Sequence, residues 1–300
     1  MNPLNKLIVD ITTLMPKKFV KLFANRYIAG ITLSDVIEKV RQLNEKNILS
    51  TVDVLGESVS DRKEAEKMKD ACIDVLNAID NYNLKANLSI KLTSLALTLD
   101  FEYCKSLVSE ILQTAKQTEN FVRIDMEDSS VTDATIKMYE EMRKTFDNTG
   151  LVLQAYLRRT ESDALRLMKE KSNFRLCKGI YIEPAELAFK QKQEIRDNYL
   201  KLLRLMFENK AYVGIATHDS YLIEGAKELI KEFSLTTEQY EFQMLLGVRE
   251  NLRDSIVQSG NRLRVYTPFG ERWYEYSIRR FKENPNFAGQ VAKSIFTGGR

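Results

Sequence analysis

Eight stretches rich in β-branched and aromatic residues recur along this chain, at 47–56, 87–92, 121–126, 151–157, 174–182, 212–218, 240–247 and 262–269. Their starts are spaced by roughly 31 residues on average, the length of one strand and its following helix. Between them the apolar period changes from two to about 3.6. Met68, Ala71, Cys72, Val75, Leu76 and Ile79 make one such helical stripe. Thr160 with Asp163 forms a capping-box pattern ahead of Leu165 and Met168. Eight alternating units predict an α/β fold, a closed (β/α)8 TIM-like barrel, in preference to an open sheet. Ahead of the barrel, Leu4, Leu7, Ile8, Ile11, Leu14 and Met15 step by three and four, which predicts an amphipathic helix ended by Pro16. A second helix is expected over 17–27. The expected division is a helical arm at 1–46, a catalytic barrel at 47–284 and a tail at 285–300.

Composition excludes several classes of function. Only 12 Gly and 5 Pro occur in 300 residues, and no Pro-, Gly- or Ser-rich stretch suggests a linker. A net charge of +3 is too even to imply nucleic acid as a partner. Cys72, Cys104 and Cys177 are too few and too scattered for a disulfide framework or a CxxC zinc site, so a reduced, cytoplasmic setting is expected. His218 is the one histidine, which excludes metal sites needing two, and no metal is expected. A catalytic triad would need a GxSxG around its serine, and none is present. There is no GxGxxG or GxxxxGK[ST] loop, no run long enough to span a membrane and no signal peptide. Lys6, Lys17, Lys18 and Lys21 leave the first helices two readings, a cap on the domain or a contact with a membrane surface.

Alternate residues on a strand face opposite sides. Asn87, Ser89 and Lys91 share one face, opposite Leu88, Ile90 and Leu92. Arg123 pairs with Asp125, Gln154 with Tyr156, and Arg264 with Tyr266; Arg175, Cys177, Gly179 and Tyr181 fall on one side of the fifth run. The outer face of a barrel strand packs on helices, so polar residues belong inside, most usefully at C-terminal strand ends. Lys91, Asp125, Gln154, Tyr181, Thr217 and Tyr266 lie at or near such ends on six different strands, which predicts an active site there. In the segment from Arg264 to Asn284, Tyr276, Arg279, Arg280 and Glu283 recur at helical spacing. That face is either a surface array in which Arg279 pairs with Glu283, or a carboxylate clamp of two guanidinium forks beside an aromatic wall.

At these residues the chain resembles the proline dehydrogenases. The pieces are DVLGE at 53–57, SIKLTSL at 89–95, RIDMED at 123–128, LQAYLRRT at 153–160, RLCKGIY at 175–181, ATHD at 216–219 and a final YxxRRxxEN. Each alone is common; their order at successive strand ends is specific. The resemblance implies a barrel whose last helix sits over the mouth, non-covalent FAD at the C-terminal strand ends, and oxidation of L-proline to Δ1-pyrroline-5-carboxylate as the first step of proline catabolism. Electrons would pass to a quinone, with peripheral contact at the inner face of the cell membrane. Carried over, Lys91, Arg279 and Arg280 bind the substrate carboxylate, and Tyr181, Tyr266 and Tyr276 wall the ring. Asp125 and Arg175 are the catalytic pair, with Arg175 beside the flavin. Met126, Gln154, Arg175, Lys178, Gly179, Ile180, Thr217, His218 and Glu283 contact FAD, and Glu57 gates the site through Arg279. Without the motif, His218 would read as a structural histidine.

Two other classes remain on the residues alone. One is a Schiff-base lyase with Lys91 or Lys178 as nucleophile. The other is a non-catalytic amino-acid-binding protein.

Overall fold

Strand β1 (Leu49–Val54) pairs in parallel with both β2 (Ala86–Ile90) and β8 (Leu263–Phe269), which closes the sheet on itself. Between them β3 (Val122–Ile124), β4 (Thr149–Gln154), β5 (Asn173–Cys177), β6 (Tyr212–Ala216) and β7 (Tyr240–Leu245) follow in sequence order. The computed structural model describes residues 21, 24, 26–56, 58–168, 172–274 and 276–278. The helices are α1 (Leu33–Asn44), α2 (Arg62–Asn81), α3 (Phe101–Gln117), α4 (Thr132–Met142), α5 (Thr160–Leu167), α6 (Lys192–Glu208), α7 (Ser220–Glu232) and α8 (Glu250–Gln258). The expected (β/α)8 barrel is present.

Helix α2 follows from its sequence stripe. Cys72, Val75, Leu76 and Ile79 are fully buried, and Asp61 caps the start by accepting from the Glu64 amide at 2.8 Å. Each large aliphatic side chain buried this way stabilises the fold by about 1.5–3 kcal/mol. Helix α1 packs through Val36, Val40 and Leu43 on β1 and β8, filling the outer position between the two strands that close the barrel. Thr32 and Asp35 close its start with a reciprocal capping box. The helical residues after Gly270 instead lie at the mouth, where Tyr276 and Trp273 pack with Ala24, Tyr27, Ile28 and Leu55.

Three expectations need correction. The Thr160–Asp163 box does not form. Arg159 occupies the cap position, its Nε donates to Asp163 Oδ2 at 2.6 Å, and the Thr160 hydroxyl turns back to the Gln154 carbonyl. A guanidinium four residues from a carboxylate makes a charge-assisted bond stronger than a neutral cap. The fifth run stops as a strand at Cys177, because Gly179 takes φ 103° and breaks the alternation. The fourth stops at Gln154, where a turn carries Tyr156 away from the interior into a cluster with Leu157 and Ala188. Of the proposed second helix at 17–27, Lys21 and Ala24 are helical, whereas Arg26 and Tyr27 are in a turn; the first helix lies outside the described residues.

The barrel interior is polar from end to end. Near its N-terminal end Arg264 Nε donates to Glu241 Oε1 at 2.6 Å, and Arg123 reaches the Asn173 carbonyl and side-chain oxygens. Room for these long side chains comes from glycines: a Cβ on Gly150 would lie 2.4 Å from Arg123, and one on Gly214 would lie 2.4 Å from Gln243.

Candidate active site

A cavity of about 580 Å³ opens at the C-terminal ends of the strands, where barrel active sites lie. Lys91, Asp125, Gln154, Tyr181, Thr217 and Tyr266 all line it, as expected of polar residues at or near the strand ends. So do Met126, Arg175, Lys178, Gly179, Ile180, His218 and Tyr276. Glu57, Arg279, Arg280 and Glu283 lie outside the described residues.

At its centre is a charged network built from six strands or the residues just past them. Asp125, just past β3, accepts from Arg175 at 2.7 Å and from Ser89 at 2.6 Å on one oxygen. Its other oxygen accepts from the Tyr266 hydroxyl at 2.9 Å. Lys91 Nζ donates to that same hydroxyl at 3.1 Å and to Asp53 Oδ1 at 2.8 Å. Arg175 Nε donates to Gln243 Oε1, whose amide nitrogen donates to Glu241. An unbroken chain of hydrogen bonds therefore runs from Arg264 at the barrel floor through Lys91, which lines the cavity, to buried Asp53.

Charge balance sets the protonation states. Burial alone would raise the Asp125 carboxyl, but Arg175 and then Lys91 outweigh it and hold it below the ordinary carboxylate range. Burial alone would lower Lys91, yet Asp53, Tyr266 and Asp125 together hold it well above the ordinary lysine value. Burial, followed by Asp125 and Asp53, pushes the Tyr266 phenol up, so it remains a donor to Asp125. Burial also pushes the Cys177 thiol up to about 11, which removes it as a thiolate nucleophile at neutral pH. A Schiff-base lysine must be available as the free amine, and Lys91 is held as the ammonium.

The outer wall comes from the loop after β5 and the turn after β6. Gly179 lies against the Tyr156 ring, and a Cβ there would sit 2.1 Å from it. Lys178 Nζ is 3.6 Å from Asp219, which Arg196 holds through two further bonds. His218 Nε2 accepts from the Leu245 amide at 2.8 Å, so the histidine ties β6 to β7 while also lining the cavity. That bond needs the lone pair on Nε2, which places the ring proton of the neutral form on Nδ1.

The proline dehydrogenase family model matches residues 36–293. The chain belongs to the proline dehydrogenase family. It is 37% identical to proline dehydrogenase 1 of Bacillus subtilis (strain 168) over 275 residues, covering 92% of this chain and 91% of that one. Identity to the proline dehydrogenase of Deinococcus radiodurans is 32% over 281 residues, covering 92% and 90%. The barrel matches the crystal structure of proline utilization A from Bdellovibrio bacteriovorus inactivated by N-propargylglycine with a TM-score of 0.82, over 90% of this chain and 34% of that chain, at 24% identity. Membership of the proline dehydrogenase family makes the chain an oxidoreductase.

Four participants were given no role by the motifs. Asp53 opens the DVLGE motif at 53–57 but receives no role from it, and Gln243 carries no site pattern; the available signal was polar residues at inward parity, Thr51 with Asp53 and Glu241 with Gln243. Tyr27 and Leu245 reach the cavity from segments read as the arm's second helix and as a strand run, with no site pattern in either.

Proposed function

We propose that the chain oxidises L-proline to Δ1-pyrroline-5-carboxylate with FAD held at this cavity and a quinone as electron acceptor. The observation that carries the reading is the convergence of Lys91, Asp125, Arg175, Tyr181, Tyr266 and Tyr276 on one cavity at the strand ends of a proline dehydrogenase family member. Its wall suits a flavin. Gln154 donates both ways, to the Met126 and Glu127 carbonyls, while its Oε1 is buried without a partner among the described residues. That leaves an acceptor for a ring N–H in a wall also made of Met126, Val152, Ile180, Met244 and Leu245. Arg175, Lys178, Gly179, Thr217 and His218 complete the set that would hold it. When bound, FAD supplies the hydride acceptor, so the protein needs no nucleophile of its own.

The remaining work falls to the side chains. Lys91, with Arg279 and Arg280, holds the substrate carboxylate, and Tyr181, Tyr266 and Tyr276 exclude water from the ring. Arg175 places a cation where negative charge develops, and Asp125 fixes its direction. Glu57 with Arg279 gates entry, and Glu283 joins the cofactor contacts. Proline is thereby positioned as the first substrate of a catabolic sequence.

The purified protein is expected to be yellow, and anaerobic L-proline should bleach it. A well-folded protein that stays colourless after incubation with FAD would overturn the assignment. Arg279→Lys and Arg280→Lys should each raise KM for proline about 10- to 100-fold, since one charge-assisted bond is worth roughly 1.5–3 kcal/mol and lysine lacks the planar fork. Flavin content should be unchanged; normal kinetics in both variants would leave that face a surface salt-bridge array. Among the described residues no helix is long and apolar enough to cross a membrane. Contact with a quinone-bearing membrane from the cytoplasmic side would then be peripheral, through the segment before residue 24.

A further inference from the structure

Asp53 is 1% exposed and does not line the cavity, yet it touches the one lysine at its centre. Its Oδ1 accepts from Lys91 Nζ at 2.8 Å, and its Oδ2 is buried with no hydrogen-bond partner among the described residues. A carboxylate buried with half its acceptors empty costs stability, and an apolar residue on β1 would avoid that cost. Its presence calls for a local reason.

The reason lies in the geometry of the ammonium. Lys91 has three N–H bonds. One goes to Asp53 and one to Tyr266 at 3.1 Å, while Asp125 Oδ2, at 3.7 Å, is beyond hydrogen-bond reach. The third N–H is left for a ligand in the cavity that Lys91 lines.

We propose that Asp53 is a positioning residue for the substrate carboxylate, anchoring Lys91 from behind so that one N–H and the full positive charge face the cavity. The inference rests on the reading of Lys91 as a carboxylate ligand. Without Asp53 the nearest counter-charge is Asp125, which also serves Arg175 and Tyr266. Lys91 would close the gap to Asp125, use its third N–H there and compete with Arg175. The other ionisable groups facing the pair are Arg175 from β5, Tyr266 from β8 and the Cys72 thiol from α2, whose burial pushes it up to about 12. None is an anion at neutral pH, so none replaces Asp53.

The test uses the flavin-loaded protein and Asp53→Asn, which keeps size and loses charge. Flavin content and visible spectrum should stay the same. KM for L-proline should rise about 10- to 100-fold, with a smaller fall in kcat. Tetrahydrofuran-2-carboxylate, a ring carboxylate with no amine to titrate, should bind more weakly by a similar factor. Its Kd, read from the flavin spectrum, should stay flat from about pH 7 to about pH 10 in the unaltered protein and rise toward the alkaline end in Asp53→Asn, as Lys91 loses its counter-charge. Adding Lys91→Met to Asp53→Asn should cost little more than either alone.

An unchanged Kd and KM in Asp53→Asn, or full additivity with Lys91→Met, would overturn the proposal. If Asp53→Asn does not fold, the unaltered protein still decides: a Kd that climbs between about pH 7 and about pH 9 would show Lys91 is not held charged. Failure of the unaltered protein to oxidise proline would instead overturn the functional reading, while the binding measurements would still report on Asp53.

Discussion

Replacing Asp125 with alanine is expected to lower Tm by about 10 °C and kcat by about 100- to 1000-fold. Asp125 is the shared anion of the network, bound to Arg175, Ser89 and Tyr266 and 3.7 Å from Lys91. Deleting it leaves buried Arg175 without its carboxylate and the Tyr266 hydroxyl without an acceptor. Removing one partner of a buried ion pair costs about 3–5 kcal/mol. At roughly 2–4 °C per kcal/mol for a chain of this size, that is the stated shift. Turnover falls because Arg175 loses the bond that fixes its direction in the cavity. Asp125→Asn separates the causes: the amide can still accept from Tyr266, so Tm should recover in part while kcat stays low.

The pH dependence carries a definite sign. The folded-state pKa of Asp125 is depressed, so its contribution is present above the unfolded value of about 3.9 and is lost as pH falls through the lower folded value. The Tm gap between the unaltered protein and Asp125→Asn should therefore be full near neutral pH and close in acid. A gap that persists in strong acid would mean that packing, not charge, is what the variant loses. Calorimetry and steady-state kinetics across pH give both readouts.

Gly179→Ala should remove most of the bound flavin while leaving the barrel folded. The backbone there has φ 103°, a region side chains rarely adopt at a cost of about 1–3 kcal/mol, and the new methyl would fall 2.1 Å from the Tyr156 ring. Tyr156 cannot retreat, since it is buried with Leu157 and Ala188. The loop must move instead, and it carries Lys178, Ile180 and Tyr181 out of the cavity wall. Visible absorbance per polypeptide and far-ultraviolet circular dichroism would check this. Tyr156→Ala in the same chain should restore part of the flavin by removing the obstructing ring. Full flavin in Gly179→Ala would mean that this loop does not shape the cofactor site.

The legible parts of the molecule were those whose cause is local. The stripe from Met68 to Ile79 specifies helix α2 because helical neighbours three and four apart share a face whatever the rest of the chain does. The strand runs were likewise visible in their period, and polar residues at or near the ends of six strands marked the cavity. Strand ends were not visible. At Gln154 and Cys177 the chain turns because it meets the barrel rim, and β-propensity continues past the point where pairing partners end. The capping-box pattern at Thr160 failed for a similar reason: Arg159 and the Gln154 carbonyl were better partners than the local backbone.

By itself the sequence determined the eight units, their order and the parity of each strand, because all three follow from bonding between near neighbours. Only the tertiary structure decided at what height inside the barrel each inward residue stands. Parity puts Arg123 with Asp125, and Arg264 with Tyr266, yet the first of each pair lies toward the floor and the second lines the mouth. Barrel closure sets that height through the register of each strand on the next, as when Thr51 comes level with Tyr266 and Arg175 with Gly214. The same closure brings Lys91 onto Tyr266 from 175 residues away. It also turns Asp53, which opens the DVLGE motif but has no role legible there, into the buried counter-charge of the lysine at the centre of the site.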